Sequence, residues 1–156
     1  MNMEHGHASQ IADLLNKHNQ LAIEYDAERV LEKADEYLFD LSEDGRIKCC
    51  CQLKRVQWYQ SEISHVTTHA DFVRQGLGGR LIALAEQRAR EDGARLIQCT
   101  IRAGNGPSEG MFKKAGFQPG TTFGNPQTGN AVTVWSKALI VPSSQPVVVV
   151  IGIKQE

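Results

Sequence analysis

The chain has 156 residues, enough to bury the core of one domain without disulfides or metals. Its 17 Lys and Arg against 18 Asp and Glu leave no basic surplus of the kind that drives binding to phosphate backbones, so no nucleic-acid partner is expected. The polar start MNMEHGHASQ lacks the basic and apolar regions of a signal peptide, and the longest strongly apolar run, 147–153, is far short of the roughly 20 residues that span a bilayer, so a cytoplasmic protein without membrane association is expected.

Ile11, Leu14 and Leu15, then Ala27, Val30, Leu31, Ala34 and Leu38, recur at helical spacing and predict two amphipathic helices. Residues 47–59 are rich in Cys, Val, Ile and aromatics and 61–68 in β-branched residues, which predicts a two-stranded hairpin. Cys49, Cys50 and Cys51 are consecutive and Cys99 stands alone, a spacing that suits neither a disulfide framework nor a zinc site. On a strand Cys49 and Cys51 face one way and Cys50 the other, as reduced, half-buried thiols. Leu77, Leu81, Leu84, Ala85 and Ala89 form one stripe of a helix that Gly93 ends.

Residues 95–101 suit a buried strand parallel to its predecessor, which completes a βαβ unit. Pro107 fits the first turn and Gly116 the stop of a short helix, 108–115. Two strands, 117–123 and 131–139, follow, joined by a turn over 124–130. The order α, α, β, β, α, β, α, β, β describes an α/β chain with a mixed sheet and helices on its faces. One domain is expected over 1–140. The remainder, 141–156, reads as a linker around Pro142 and Pro146 and an extra strand, 147–153, that needs covering. Exchange of that strand across a two-fold axis predicts a homodimer.

The chemistry is concentrated in HADFVRQGLGGRL, residues 69–81, between a strand and a helix. Gly76, Gly78 and Gly79 let the backbone turn tightly and approach a ligand, and the helix that starts there presents unpaired N–H groups and a positive dipole end. Together these make an anion cradle suited to phosphates. A dinucleotide fingerprint starting at Gly76 would need Gly or Ala at Leu81, and a P-loop would need Gly-Lys followed by Ser or Thr. Neither fits. Val73-Arg74-Gln75-Gly76-Leu77-Gly78 approximates instead the acetyltransferase pattern of Arg or Gln, two free positions, Gly, one free position, then Gly or Ala. On the loop alone, a plain turn ahead of a surface helix is the competing reading.

The surrounding segments decide between these readings. Strand 61–68, strand 95–101, Asn105 and Phe112-Lys113-Lys114-Ala115-Gly116-Phe117 follow one another in the order and spacing of the GCN5-related N-acetyltransferase (GNAT) family, which the chain resembles over 47–139. The resemblance implies a GNAT fold, a central mixed sheet with splayed parallel strands flanked by helices. It implies acetyl-CoA as co-substrate and no metal, with the pantetheine arm on the backbone of Val66, Thr67 and Thr68 and against Asn105. The pyrophosphate would lie on the amides of Arg74, Gln75, Gly76, Leu77, Gly78, Gly79 and Arg80. Val73 stands where the family prefers Arg or Gln. Phe112 stands where many members carry a Tyr that protonates the departing thiolate, and a phenyl ring has no proton to give.

A Lys-type amine, of pKa about 10.4, must lose a proton before it attacks a thioester, which calls for a base. Glu62 and His65 are the expected bases, with His69 beside them; an ordinary strand carboxylate and a packed strand histidine are the alternatives. His5, His7 and His18 read as a frayed tail and a helix surface rather than metal ligands. Trp58 and Tyr59 either floor an acceptor groove or pack a strand, and Arg102 is either a CoA phosphate contact or a solvated strand end. The expected activity is acetyl-CoA-dependent N-acetyl transfer by direct attack in a ternary complex, to a small-molecule or peptide amine. The alternative is a catalytically weak acyl-CoA-binding or sensing module.

Overall fold

The computed structural model describes residues 2–19, 21 and 23–140. In chain order its elements are α1 (His5–His18), α2 (Ala27–Glu32), a 3-10 turn (Ala34–Glu36), β1 (Tyr37–Leu41), β2 (Ile47–Gln57), β3 (Gln60–Thr68), a second 3-10 turn (Ala70–Phe72), α3 (Leu77–Glu91), β4 (Leu96–Arg102), α4 (Gly106–Lys114), β5 (Gln118–Gly124) and β6 (Ala131–Ala138). The strands form one six-stranded sheet in the order β1-β2-β3-β4-β6-β5. Only β3 and β4 run parallel among these neighbours, and α3 connects them. The mixed sheet flanked by helices is the one the sequence predicts. No helix among the described residues is long and apolar enough to cross a membrane.

Two expectations for the N-terminal part are corrected. His5 and His7 are helical, not a frayed tail: the His7 Nδ1 accepts from the Glu4 backbone N–H at 3.2 Å, satisfying a donor at the start of α1. The second predicted helix stops at Glu32, and Leu38 lies on strand β1 instead. The apolar residues of 27–38 can be placed on a helical stripe, but Tyr37 to Leu41 gain ladder hydrogen bonds by pairing antiparallel with β2, from Tyr37 opposite Gln52 to Leu41 opposite Ile47. Long-range pairing overrides a short local period.

The sheet divides the core in two. One cluster packs α3 and α4 against Cys49, Cys51, Ile63, Ile97, Cys99 and Trp135; the other packs α1 and α2 against Ile47 and Cys50. The three consecutive cysteines therefore alternate between faces, as strand geometry requires. All four thiols are free and fully buried rather than half-buried.

Two irregularities shape the site. β3 and β4 pair only at Gln60 with Leu96, Ser61 with Ile97 and Glu62 with Gln98, and beyond that point they separate. Opposite β2 the register steps from Thr67 facing Cys50 to Ser64 facing Gln52, so His65 and Val66 share the single partner position Cys51. This is a β-bulge, and His65 takes a left-handed backbone with φ 56°. A histidine there carries conformational strain, and strain of this kind clusters at functional sites. The segment 141–156, with the predicted linker and extra strand, lies outside the described residues.

Candidate active site

Gly76 is the N-cap of α3 with φ 72°, and the first intrahelical bond runs from the Arg80 N–H to the Gly76 carbonyl at 3.1 Å. The amides of the turn between them have no partner further back in the helix and no capping side chain. A Cβ built on Gly76 or Gly79 would meet no atom within 4 Å, so both look onto open space. One on Gly78 would lie 2.5 Å from the Met111 Sδ, so the missing side chain is what lets α3 approach α4. Arg74, like His65, is left-handed, with φ 64°. The loop thus turns its backbone outward, and that costs strain at a non-glycine position.

In front of the loop lies a groove of about 790 Å³ between the start of α3 and one face of α4. Thr68, Val73, Arg74, Gly76, Leu77, Gly78, Gly79 and Arg80 line it from one side and Pro107, Gly110, Met111 and Lys114 from the other. Its charged lining is Arg74, Arg80 and Lys114, with no carboxylate. Three cations, free amides and a positive helix end on a carboxylate-free groove fit the phosphates of a CoA ester.

The gap between β3 and β4 continues this groove. A cleft of about 140 Å³ is lined by Ile63 to Val66 on one strand, Cys99 to Arg102 on the other, and Asn105, Ser108, Met111 and Phe112 at its end. Met111 belongs to both groove and cleft. A third cavity, of about 460 Å³, shares Asn19, Ser64, His65, Thr100, Arg102 and Asn105 with the cleft and adds His18 and the turn carrying Asn125, Thr128 and Asn130. Through these shared residues the three spaces follow one another from the glycine loop to the C-terminal end of α1.

The expected cofactor contacts divide accordingly. Val73, Arg74, Gly76, Leu77, Gly78, Gly79, Arg80 and Thr68 line the groove, while Val66, Asn105 and Phe112 line the cleft. Gln75 and Thr67 line neither. Thr67 is buried, with its hydroxyl donating to the His65 carbonyl at 3.0 Å and accepting from the Asn19 Nδ2 at 3.0 Å, so it ties the end of α1 to the bulge. Asn105 caps α4, its Oδ1 accepting from the Ser108 N–H. Phe112 is buried and meets Phe117 edge-on at 5.0 Å between centroids.

His65 and Glu62 part company. His65 lines both the cleft and the third cavity. Burial, followed by the charge of Lys54, holds its imidazole below the usual histidine range, so the ring is neutral near pH 7. Glu62 sits lower, at the last paired position of β3 and β4, opposite Lys54 on β2, and lines none of the three spaces. His69 lies past the strand and its Nδ1 accepts from the Asp71 N–H. Trp58 and Tyr59 meet edge-to-face at the opposite end of β3 and line none of these spaces, so they do not floor an acceptor groove there. Arg102 faces the cleft and the third cavity, not the groove. No group of three or more His, Cys, Asp or Glu among the described residues could hold a metal.

Several site residues escape the sequence reading. Pro107, Gly110, Met111 and Lys114 recur at helical spacing on α4, which could have been found as one face. Asn19, Thr100, Ser108 and the Asn125 turn come from separate elements and show no shared pattern. Tyr25, which lines none of the three spaces, meets His65 from behind, and Asn16 grips its backbone twice, at 2.8 Å each way.

A model of the acetyltransferase (GNAT) family matches residues 7–117. Over 109 residues the chain is 28% identical to a candidate [ribosomal protein bS18]-alanine N-acetyltransferase of Bacillus subtilis (strain 168), a match covering 68% of this chain and 72% of that protein. Among solved structures, YncA from Salmonella typhimurium, a candidate acetyltransferase solved with its cofactor acetyl-CoA, superposes with a TM-score of 0.77 at 18% identity, over 94% of this chain and 96% of that one. A ribosomal-protein-alanine N-acetyltransferase from Brucella melitensis superposes with a TM-score of 0.75 at 20% identity, over 88% and 98% of the two chains.

Proposed function

The chain belongs to the acetyltransferase (GNAT) family and is an N-acetyltransferase, and from that premise we propose that it moves an acetyl group from acetyl-CoA directly to an amine, both bound at once. The observation that carries this reading is the series of spaces with shared lining residues, a phosphate-suited groove at one end and a separate polar cavity at the other. Donor and acceptor entering from opposite ends meet between β3 and β4, so no acyl-enzyme is needed. The relatives named for acetyl transfer, one of them solved with acetyl-CoA, favour the same donor here.

The glycine loop amides with Arg74, Arg80 and Lys114 hold the phosphates, and the edge of β3 from Val66 to Thr68, which has no β4 partner, offers its backbone to the pantetheine arm. Acetyl-CoA supplies the activated thioester. The amine nitrogen bonds to the acetyl carbon, the carbon–sulfur bond breaks, and CoA leaves as a thiolate. His65, neutral and facing the acceptor cavity, takes the proton the amine must lose. Glu62 is less well placed for that role. With Phe112 in place of a proton donor, the thiolate leaves unassisted, which is tolerable for a thiol of pKa about 8.5.

Incubation with acetyl-CoA and a panel of small amines and peptide N-termini, followed by thiol release and product mass, tests this directly. The relatives named for ribosomal-protein alanine make an N-terminal amine one acceptor in that panel. The Phe112 position favours one other reading, a sensing module that binds acyl-CoA without turnover, which the same assay separates. The reading includes a homodimer: β5 is one of the two outer strands of the sheet, exposed along its whole length and paired among the described residues only with β6, an edge on which the 147–153 run of a second copy could pair.

A further inference from the structure

We propose that the acceptor is a small amine carrying an anionic group close to its amino group, as a free α-amino acid does, and that Arg102 binds that anion. This rests on the acetyl-transfer reading and specifies its substrate class. The third cavity, at about 460 Å³, lies within the range of about 300–1,000 Å³ typical of small-ligand sites. Arg102 is the one Lys or Arg of its lining, set with His18 and His65 among amides, hydroxyls, Leu21 and Val132, and no Asp or Glu takes part. A cationic acceptor such as a polyamine or a basic peptide would find no counter-charge there.

Arg102 is available for the task. It ends β4 where that strand has left β3, and it lines both the cleft and the third cavity. Among the described residues its side chain makes no hydrogen bond or ion pair, whereas the arginines at 46, 55, 88 and 90 are all engaged. A planar guanidinium with five donors matches a carboxylate in two parallel hydrogen bonds, a recognition that an ammonium group cannot give. Arg102 and His65 line both the cleft and the cavity from facing strands. An anion held by Arg102 would leave the neighbouring amine on the His65 side, in the gap where the thioester would arrive. The short separation of carboxylate and amine in an α-amino acid suits this, whereas a peptide N-terminus has an uncharged carbonyl in the same place.

The protein amino acids, each paired with its own α-amide, together with a hexapeptide beginning with Ala, provide the test. Thiol release from acetyl-CoA reads turnover, and calorimetry of the same compounds on CoA-saturated protein reads binding. The expected result is kcat/KM at least tenfold higher for one or more free amino acids than for their amides. Arg102→Gln should erase that preference mainly through KM, with acetyl-CoA affinity unchanged, and Arg102→Glu should reverse it. Amides or the hexapeptide turning over as well as free acids, with Arg102→Gln indifferent, would overturn the anion site and leave acetyl transfer standing. Arg102-dependent binding of free acids without turnover would uphold the anion site and remove the transfer reading. No binding of any free acid overturns the proposal outright.

Discussion

The Tyr25 hydroxyl stands 3.5 Å from the Nε2 of His65, and the two rings meet edge-to-face with centroids 5.7 Å apart. Tyr25 comes from the loop between α1 and α2, His65 from the bulge of β3, so this pair joins the acceptor side of the molecule to the splayed strand. A neutral imidazole can take a proton, and Tyr25 holds its ring in place. His65→Gln should lower kcat most below the acceptor's pKa, with the loss shrinking as pH rises and the amine deprotonates itself. Tyr25→Phe should cost less, about two- to tenfold. Glu62→Gln should leave the pH profile near wild type; equal losses at every pH in both the His65 and Glu62 variants would show that neither is the base.

The same histidine ties stability to pH. Its folded pKa lies below the ordinary 6.5, so as pH falls the unfolded chain takes up the proton first. The stability that depends on neutral His65 is complete above about pH 6.5 and lost as pH falls through the folded value. Urea unfolding at pH 5 and pH 7.5 should show a smaller difference for His65→Gln than for wild type.

Gly79 offers a clean probe of the phosphate cradle. It is the third residue of α3, its backbone φ is not in the left-handed region, and an added Cβ meets nothing within 4 Å. A glutamate there is favourable for the helix, since a negative side chain in the first turn opposes the dipole. Gly79→Glu should therefore keep or raise Tm while weakening acetyl-CoA at least tenfold by calorimetry. Unchanged affinity would remove the cradle assignment. Gly76→Val should also weaken binding, but with strain from its left-handed backbone, and Gly78→Glu must in addition displace Met111.

Phe112 packs on Phe117 and also lines the cleft, so truncation and hydroxylation should behave differently. Phe112→Ala should destabilise by about 3–5 kcal/mol, the usual cost of emptying a buried phenylalanine site. Phe112→Tyr should bind acetyl-CoA normally and match or exceed wild-type turnover by offering a proton to the leaving thiolate. Loss of turnover in a Phe112→Tyr protein that still binds acetyl-CoA would place that ring away from the sulfur.

Burial pushes the thiol of Cys49 up to about 11 and those of Cys50 and Cys99 up to about 12, and raises Cys51 further. Thiolate is the reactive form, so all four should resist a disulfide reagent at pH 8 in the native protein and react on denaturation. Fast modification of any of them before unfolding would contradict their burial.

If the 147–153 run pairs with a second copy, light scattering should give a dimer mass for the intact chain, and deletion of 147–156 should give a monomer or aggregates. A stable monomer from the intact chain would dispose of the exchange.

Patterns carried by consecutive residues were legible in the sequence. The glycine loop, the stripe of α3, the Asn105-to-Phe117 segment and the alternation of the three cysteines each depend on spacing along one element, where a period of 3.6 or 2 already states which side chains share a face. Those periods specified the mixed sheet and the glycine-loop side of the groove, while the family was read from its resemblance in the order of the motifs. Strand β1 was lost because five residues also fit the end of a helical stripe, and only pairing with β2 distinguishes the two. The acceptor side is a different case. Asn19, His65, Thr100, Arg102 and the Asn125 turn are scattered across the chain, with Tyr25 behind His65, and they meet because β3 bulges at His65 and parts from β4 after Glu62. A bulge and a splay arise from which strands find partners, a property of the assembled sheet, so the placement of His65 and Arg102 on the cleft and the third cavity, and of Glu62 away from them, was decided by tertiary structure alone.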